Sequence, residues 1–261
     1  MPATGSWSGA VAAEPSSPGA SHRQGAALVF SGVSKIYGQG ASAVHALDNV
    51  DLTIARGEFV AIYGRSGSGK STFLNLAGAL DLPTAGAVTV FGAPPTHTLS
   101  RADAARLRNR QIGFIFQQYN LFARFTVAEN VETPLVYAGL GAADRSRKVR
   151  EALALVGLEE LAARRPAELS GGQQQRVAVA RAIVTGPDMV LADEPTGALD
   201  DDTGGAILDH LQSINRTLGV SVALVTHDPG IAERAGRVLT FRNGRLDGDE
   251  RRSGAYGGES T

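Results

Sequence analysis

The sequence predicts an α/β fold built on a mixed sheet, and three observations lead to this prediction. An apolar segment at 58–62 is followed by a glycine-rich loop and a helical segment, so strand, loop and helix succeed one another. The strand-like segments near the N-terminus follow each other closely, which favours antiparallel pairing. The later ones alternate with helical segments, which favours parallel strands joined by crossovers.

Eight segments have the composition of strands, and two in the middle of the chain have that of helices. The strand-like segments are 26–30, 50–54, 59–62, 87–90, 112–116, 189–192, 220–225 and 237–241. The helical segments are 100–110 and 143–156, in a region rich in turn residues. The middle of the chain, at about 100–165, is therefore predicted to be a helical insertion into a sheet domain.

Composition restricts the class of protein. The net charge of −1 over 261 residues provides no field that would attract nucleic acid, so we expect no nucleic-acid partner. The chain has no cysteine, which excludes disulfides and thiolate metal sites and agrees with a reducing cytoplasm. No apolar run approaches the ~18 residues needed to span a bilayer.

The two ends of the chain differ in composition from its middle. Residues 1–26 are rich in Ala, Gly, Ser and Pro and lack the basic start and apolar core of a signal peptide, which predicts a disordered tail. Residues 247–261 are polar and rich in glycine, which predicts a second tail. The folded body is expected to cover 27–246.

The glycine-rich loop fits the phosphate-binding pattern of Gly, four residues, Gly-Lys and Ser or Thr. Its residues are Gly64, Arg65, Ser66, Gly67, Ser68, Gly69, Lys70 and Ser71, with Thr72 following. The glycines allow backbone N–H groups to point inward around phosphate oxygens. Lys70 carries the charge for the β and γ phosphates, and Ser71 offers its hydroxyl to Mg²⁺. The helix that begins here directs its positive end at the anion, so the chain is predicted to bind a nucleoside triphosphate.

A second glycine motif lies 100 positions after Lys70 (170 − 70) and precedes a helical run at 177–183. It consists of Ser170, Gly171, Gly172 and Gln173. Ser170 is predicted to be an N-cap, and its hydroxyl and the two glycine amides then face outward at the positive end of a helix. This predicts a second phosphate-binding element in a chain that has one phosphate loop.

A third motif is the apolar segment 189–192, which ends in the two acids Asp193 and Glu194. With the phosphate loop and the second glycine motif, it stands in the order found in ATP-binding cassette (ABC) nucleotide-binding subunits, and the chain resembles that family over about 28–246. The resemblance implies an ABC-type P-loop NTPase with a mixed sheet core, an antiparallel β subdomain and a helical insertion subdomain. It also implies that two copies pair head to tail, each ATP held between the phosphate loop of one copy and the Ser-Gly-Gly segment of the other.

The resemblance assigns further roles at matching positions. Asp193 would assist Mg²⁺ and Glu194 would act as general base on the attacking water. His227 matches the family's switch histidine, which contacts the γ-phosphate. Gln117 matches the glutamine that joins the metal site to the helical insertion. Its neighbour Gln118 is an alternative, and Gln117 is preferred because the family places its glutamine directly after the strand.

Two more positions are carried over, and two depart from the family pattern. Tyr37 corresponds to the aromatic residue that stacks on adenine, and Asp200 lies where the family crosses the dimer interface. Ala198 stands where the branch of the family that this chain most resembles commonly has Asn. The departure removes one polar contact between the two ATP sites of the pair. The segment 120–124 lacks the proline common after the glutamine, on the surface that meets the membrane partner.

The branch of the family that the motifs resemble most contains the lipoprotein-release and macrolide-export ATPases. The segments that carry this resemblance are 64–69, 117–121, 129–131 and 193–197. This implies ATP hydrolysis, an integral membrane permease as partner, and a cytoplasmic location on the inner face of the membrane. The permease either expels a substrate or transmits force. Soluble ABC ATPases of DNA maintenance, translation or iron–sulfur assembly form an alternative class. A catalytically idle scaffold is disfavoured because Lys70, Asp193, Glu194 and His227 are all present.

Overall fold

A computed structural model of the protein describes residues 25–252. In this part of the chain the strands are β1 (Ala26–Tyr37), β2 (Val44–Ala55), β3 (Phe59–Tyr63), β4 (Ala85–Val90), β5 (Ile112–Ile115), β6 (Met189–Asp193), β7 (Ser221–Thr226), β8 (Arg237–Arg242) and β9 (Arg245–Arg251). The α-helices are α1 (Lys70–Ala77), α2 (Arg101–Gln111), α3 (Val127–Tyr137), α4 (Ala142–Leu155), α5 (Gly171–Ile183), α6 (Asp201–Leu218) and α7 (Pro229–Glu233).

The strands form two sheets. The larger has the order β5-β6-β7-β3-β8-β9, in which β5 to β8 run parallel and β9 pairs antiparallel with β8. The smaller is antiparallel, with the order β2-β1-β4. The predicted α/β fold with a mixed sheet and an antiparallel part is therefore confirmed. Because β3, β5, β6 and β7 are parallel, their carboxyl ends meet at one edge, where α/β sheets bind ligands.

The central strands are buried on both faces, which explains their nearly continuous apolar sequences. Alternate residues of β3 belong to different halves of the core. Phe59 and Ala61 pack in the half formed with α3 to α6, whereas Val60 and Ile62 pack in the half formed with α1 and the small sheet. The molecule is thus layered, with the large sheet between a helical layer and the antiparallel sheet with α1.

The middle of the chain is helical but interrupted by one core strand. Strand β5 lies within the predicted insertion at about 100–165 and pairs with β6 in the large sheet. Helix α3 begins at a capping box in which Thr126 and Glu129 bond each other's backbone N–H. Its residues Val127, Val131 and Leu135 are buried at a spacing of four, so one face of α3 covers the core.

Several element boundaries differ from those predicted. Strands β1 and β2 are 12 residues each, and they extend far beyond the segments 26–30 and 50–54. Apart from residues 25 and 26, the predicted tail 1–26 lies outside the described residues, and Ala26 already begins β1. Strand β9 extends beyond the predicted boundary at 246, because pairing with β8 satisfies its backbone whatever the polarity of its side chains.

Among residues 25–252, none of the helices combines the length and the apolar character needed to cross a bilayer.

Candidate functional site

The glycine-rich loop lies between the carboxyl end of β3 and α1, and its backbone conformation requires glycine. Gly69 immediately precedes α1 with φ 106°, a left-handed conformation that is strained for residues with a side chain. A Cβ at Gly69 would also lie 2.5 Å from the carbonyl oxygen of Ala46. At Gly64 a Cβ would lie 2.6 Å from Ser68 Oγ. The loop is therefore held tightly against β2 with the N-terminus of α1 opening beside it.

Lys70 is the first residue of α1 and is buried, with 6% of its surface exposed. Its Nζ donates hydrogen bonds to the carbonyl oxygens of Gly64 at 2.7 Å and Arg65 at 3.0 Å. Burial lowers the pKa of Lys70, and the nearby charges of Glu194 and Asp193 act in the opposite direction. The ammonium group is thus held across the loop, close to both acids.

The two acids lie at the carboxyl end of β6, the strand next to β7 in the large sheet; Asp193 is its last residue and Glu194 follows directly. Glu194 has φ 44°, and its N–H donates to the carbonyl oxygen of Val225 at 3.0 Å. This left-handed turn directs the backbone away from the sheet immediately after Asp193. Burial raises the pKa of Asp193, the charge of Glu194 raises it further, and Lys70 lowers it. Asp193 therefore lies in surroundings where an additional cation would be stabilising.

His227 follows β7 directly and contacts Glu194. Its Nδ1 lies 2.7 Å from Glu194 Oε2, with 62% of the histidine side chain exposed against 18% of the glutamate side chain. The contact forms because β6 and β7 are neighbouring parallel strands that end at the same edge. The hydrogen bond holds the Glu194 carboxylate in one orientation and leaves Nε2 of the imidazole for another ligand.

Gln117 lies shortly after β5, on the other side of β6. A Cβ placed at Gly197 would lie 3.0 Å from Gln117 Nε2 and 3.3 Å from Glu194 Oε2, so the amide and the carboxylate flank the same glycine. Gln117 is among the described residues that line the cavity at the phosphate loop, and Gln118 is not. The geometry therefore favours the predicted choice of Gln117 over Gln118.

Most of the predicted site residues line one cavity of about 840 Å³. They are Tyr37, Gly64, Arg65, Ser66, Gly67, Gly69, Lys70, Ser71, Thr72, Gln117, Glu194 and His227. Val44, His45 and Ala46 also line it, and no motif in the sequence marks them. They reach the cavity because β2 pairs with the end of β1, where Tyr37 lies opposite Val44. A volume of this size is in the usual range for nucleotide-sized ligands, about 300–1,000 Å³.

The second glycine motif lies elsewhere on the described surface. Ser170 caps α5 as predicted, because its Oγ accepts from the N–H of Gln173 at 3.3 Å and its own N–H donates to Gln173 Oε1 at 2.9 Å. A Cβ at Gly171 would lie 3.0 Å from the hydroxyl oxygen of Tyr119. None of Ser170, Gly171, Gly172 and Gln173 is among the described residues that line the phosphate-loop cavity. Within one copy, the structure does not bring the two phosphate-binding elements together.

Asp200 is also separate from that cavity. It is the N-cap of α6, where its carboxylate accepts from the N–H and the hydroxyl of Thr203, both at 2.9 Å. Hydrogen bonds from Thr203 hold the pKa of Asp200 below its ordinary value. Asp200 lines an adjacent hollow of about 380 Å³ that shares Glu194 and His227 with the phosphate-loop cavity. Ala198 beside it is exposed.

Two contacts on α5 were not predicted from the sequence. Arg181 donates from its guanidinium to the carbonyl oxygens of Tyr119 at 2.7 Å and Asn120 at 2.6 Å. Tyr119 and Asn120 both have positive φ. Gln175 is fully buried and donates to the carbonyl oxygen of Pro195 at 2.6 Å. Helix α5 is thus bonded to the segment after Gln117 on one side and to the segment after Glu194 on the other.

The donor set suits a magnesium ion held jointly with phosphate. Ser71, Gln117 and Asp193 offer a hydroxyl, an amide and a carboxylate oxygen, which are hard donors of the kind Mg²⁺ takes. No group of three or more His, Asp or Glu residues in 25–252 is arranged as a metal cage. Mg²⁺ is usually held by one or two carboxylates with substrate phosphates and water, so the residues present fit it.

A glycine-rich loop between a strand and a helix, beside a sheet edge with paired acids, defines a P-loop nucleotide-binding protein. Residues 47–197 match the ABC transporter family. The lipoprotein-releasing system ATP-binding protein LolD of Bordetella avium (strain 197N) is 47% identical over 221 residues, which are 85% of this chain and 96% of that protein. The chain belongs to the ABC transporter family, and it is an ATP-binding, ATP-hydrolysing cassette.

Two further similarities complete the comparison. The macrolide export ATP-binding/permease protein MacB of Hyphomonas neptunium (strain ATCC 15444) is 49% identical over 217 residues, and the matched part is 33% of its length. The chain therefore spans about a third of the macrolide exporter that it matches. The cassette MJ0796, solved as a dimer in a post-hydrolysis state with ADP and Pi, has a TM-score of 0.79 at 41% identity, covering 87% of this chain and 99% of that one. The predicted resemblance to the lipoprotein-release and macrolide-export branch is confirmed.

Proposed function

We propose that this chain is the ATP-hydrolysing subunit of an ABC transporter, which closes on a second copy around two ATP molecules and thereby drives a separate membrane permease. The observation that carries the proposal is the separation of the phosphate-loop cavity from the motif at Ser170–Gln173. Both elements have phosphate-binding chemistry, and one copy presents them on different surfaces. A head-to-tail pair would bring each motif over the other copy's cavity. The dimeric MJ0796 cassette supports this arrangement.

In the proposed complex, the phosphates of ATP lie against the loop and the N-terminus of α1. Backbone N–H groups of Arg65 to Thr72 surround them, and Lys70 leaves its two carbonyl partners to bind the β and γ phosphates. Tyr37, at the same cavity, takes the adenine. Ser71, Asp193 and Gln117 would hold Mg²⁺, whose charge offsets that of the phosphates when it is bound.

Hydrolysis then uses the pair of Glu194 and His227. Glu194 accepts a proton from a water molecule as the water oxygen attacks the γ-phosphorus. The bond from that phosphorus to the bridging oxygen breaks, and ADP leaves with the electron pair, so the products are ADP and inorganic phosphate. The bond from His227 Nδ1 orients the carboxylate, and Nε2 is left to contact the γ-phosphate. Gln117 and Asp200 are placed to sense closure of the pair, because Gln117 lines the phosphate-loop cavity with Glu194, and Asp200 lines the adjacent hollow with Glu194.

The proposed permease contact is a groove of about 730 Å³ between α2, β5, α3 and α5. Its apolar lining includes Leu80, Phe114, Phe116 and Tyr137, and four arginines stand around it: Arg106, Arg108, Arg110 and Arg181. No Asp or Glu is among the described residues that line it. A helix with an apolar face and acidic residues fits this lining, and a permease at the inner face of the membrane would supply it. The MacB relative is named as an ATP-binding/permease protein in a single chain, which supports such a partner.

The shared ATP site predicts a specific effect of Ser170→Arg. We expect the variant to bind ATP as a monomer with unchanged affinity, because Ser170 does not line the cavity of its own copy. Hydrolysis should fall at least about 100-fold, since a bulky cation would block the phosphate contact across the pair. ATP affinity by calorimetry and turnover by phosphate release measure the two effects.

Ser100→Arg is the matched control. Ser100 caps α2 in the same way, accepting from the N–H of Asp103 at 3.1 Å, so both variants lose a cap, which costs about 0.5–2 kcal/mol. Only the variant at 170 should lose hydrolysis. Full turnover by Ser170→Arg would contradict the shared site.

The permease is tested by purification from native membranes. Tagged Glu194→Gln protein is isolated in mild detergent with ATP and Mg²⁺, and whatever remains bound is identified by mass spectrometry. We expect a multi-span permease to be retained, and its retention to be lost in a variant with Tyr137→Glu in the groove. Recovery of soluble proteins alone would overturn the membrane assignment and support an ABC ATPase with an assembly or maintenance role.

A further inference from the structure

Three side chains form a hydrogen-bonded cluster beside the phosphate-loop cavity. Lys35 and Tyr37 are two residues apart near the end of β1, and both side chains bond Asp81. Asp81 comes from the turn that follows α1. Among these residues only Tyr37 lines the cavity. Lys35 and Asp81 carry no role in the site described above.

Asp81 is the centre of the cluster, because both of its carboxylate oxygens accept. Asp81 Oδ1 accepts from Lys35 Nζ at 2.7 Å and from the N–H of Leu82 at 2.7 Å. Asp81 Oδ2 accepts from the Tyr37 hydroxyl at 2.8 Å. Lys35 Nζ also donates to the carbonyl oxygen of Leu82 at 2.8 Å. The tyrosine hydroxyl is thus held by an anion that is itself fixed by an ammonium group and the backbone.

The burial of the cluster allows these bonds to fix geometry. The Lys35 side chain is only 12% exposed and that of Asp81 31%. Burial alone would raise the pKa of Asp81, but the hydrogen bonds from Lys35 and Tyr37 hold it below its ordinary value, so the carboxylate stays ionised. By contrast Tyr37 is 40% exposed, so packing alone would not hold its ring in one orientation.

Lys35 also covers one face of the Tyr37 ring. Its Nζ lies 4.8 Å from the ring centroid, within the range of a cation–π contact. Lys35 does not line the cavity, whereas the Tyr37 ring does. Lys35 therefore occupies one face of a ring that is itself part of the cavity lining.

We propose that Lys35 and Asp81 are positioning residues that clamp the Tyr37 ring in advance as a platform for the adenine of ATP. The inference rests on the proposed function, in which Tyr37 takes the base, and it adds what holds that residue in place. Ordering a side chain on binding reduces affinity, and a ring that is already ordered avoids this loss.

The clamp also connects the base platform with the phosphate site. Asp81 N and Leu80 N donate to the carbonyl oxygen of Asn75 in α1, at 3.2 Å and 2.8 Å. Helix α1 begins at Lys70. The Tyr37 ring is thus positioned relative to α1, whose first turn lies at the proposed phosphate site. Helix α1 and the turn after it therefore set the distance between the base and the phosphates.

The test compares a ligand that has a base with one that lacks it. Affinities of the full-length protein for Mg²⁺–ATP and Mg²⁺–tripolyphosphate are measured by calorimetry for the three clamp variants Asp81→Asn, Lys35→Met and Tyr37→Phe, and for Tyr37→Ala, which lacks the ring. We expect each clamp variant to bind ATP about three- to tenfold more weakly, a fraction of the full stacking contribution, and to bind tripolyphosphate unchanged. Tyr37→Phe keeps the ring and removes the hydroxyl, which bonds Asp81 and also Thr72, on a half-exposed side chain, so it remains informative if Asp81→Asn does not fold.

Asp103→Asn is the matched control. Asp103 accepts from Arg106 Nη1 at 2.8 Å and from Ser100 Oγ at 2.6 Å on α2, away from the described lining of the cavity. It should leave both affinities unchanged. A second control combines Asp81→Asn with Tyr37→Ala, and we expect no further loss of ATP affinity in the double variant, because the clamp acts only through the ring.

The outcomes separate the clamp from the function on which it rests. If Tyr37→Ala weakens ATP binding and the three clamp variants do not, the clamp is overturned and the base platform stands. If Tyr37→Ala leaves ATP affinity unchanged, the platform and the clamp both fail. Equal losses for ATP and tripolyphosphate, or additive losses in the double variant, would show a general structural effect and overturn the clamp.

Discussion

Replacing Glu194 by Gln is expected to slow ATP hydrolysis by about 10²–10⁴-fold, the usual contribution of a general base, while ATP binding is retained. The amide cannot accept the proton of the attacking water, although it occupies nearly the same volume and can keep a hydrogen bond to His227 at the observed 2.7 Å contact. In the proposed pair, ATP held across two copies would stabilise their association, so slow turnover should also make dimers accumulate. Single-turnover phosphate release and light scattering measure the two effects.

Glu250→Gln is the control for this substitution. It makes the same chemical change on an exposed residue of β9, and its turnover should equal that of the unsubstituted protein. Near-normal hydrolysis by Glu194→Gln would remove Glu194 as the base. A loss of hydrolysis together with a loss of ATP binding would instead show that the carboxylate supports the fold of the cavity.

Replacing Lys70 by Ala is expected to weaken ATP binding by about 100-fold or more. Two charge-assisted bonds to phosphate at about 1.5 kcal/mol each correspond to a factor of this size. The structure adds that Lys70 Nζ bonds the carbonyl oxygens of Gly64 and Arg65, so the substitution also removes two contacts that shape the loop. Calorimetric titration with Mg²⁺–ATP measures the affinity.

Lys70→Met and Lys148→Ala are the two controls for the replacement of Lys70 by Ala. Methionine keeps an apolar stem in this buried position, so it separates loss of charge from loss of packing, and thermal unfolding reports whether either variant is destabilised. Lys148, on α4, should tolerate replacement without effect on affinity. Unchanged ATP affinity in a folded Lys70→Met protein would contradict the assignment of the phosphate loop.

Local sequence patterns predicted those parts of the fold and site that depend on neighbours in the chain. The loop from Gly64 to Ser71 could be recognised because its glycines and lysine must stand at fixed spacing for backbone N–H groups to converge. Ser170 could be identified as an N-cap because the motif Ser, two residues, Gln bonds within itself. The buried strands β3, β6 and β7 were evident because burial on both faces demands continuous apolar sequence.

Other features could not be predicted because they depend on contacts between segments, not on the composition of one segment. The extension of β1 to Tyr37 results from its pairing with β2, where Tyr37 lies opposite Val44, and the rest of β1 also pairs with β4, about 50 to 60 residues further along the chain. Strand β9 forms by pairing with β8, although its polar composition indicated a tail. The bonds of Arg181 to the carbonyl oxygens of Tyr119 and Asn120 join segments about 60 residues apart, and no local pattern marks such contacts.

Short motifs whose spacing is set by covalent geometry were enough to predict the class of the protein, the phosphate loop and the residue types proposed to bind ATP and Mg²⁺. Which of these residues meet depends on the folded structure. Parallel pairing of β5, β6 and β7 brings Gln117, Glu194 and His227 to one edge, whereas the course of α5 leaves Ser170 on another surface. The physical reason is that strand order and helix packing are settled by burial of the whole core, which no single segment encodes.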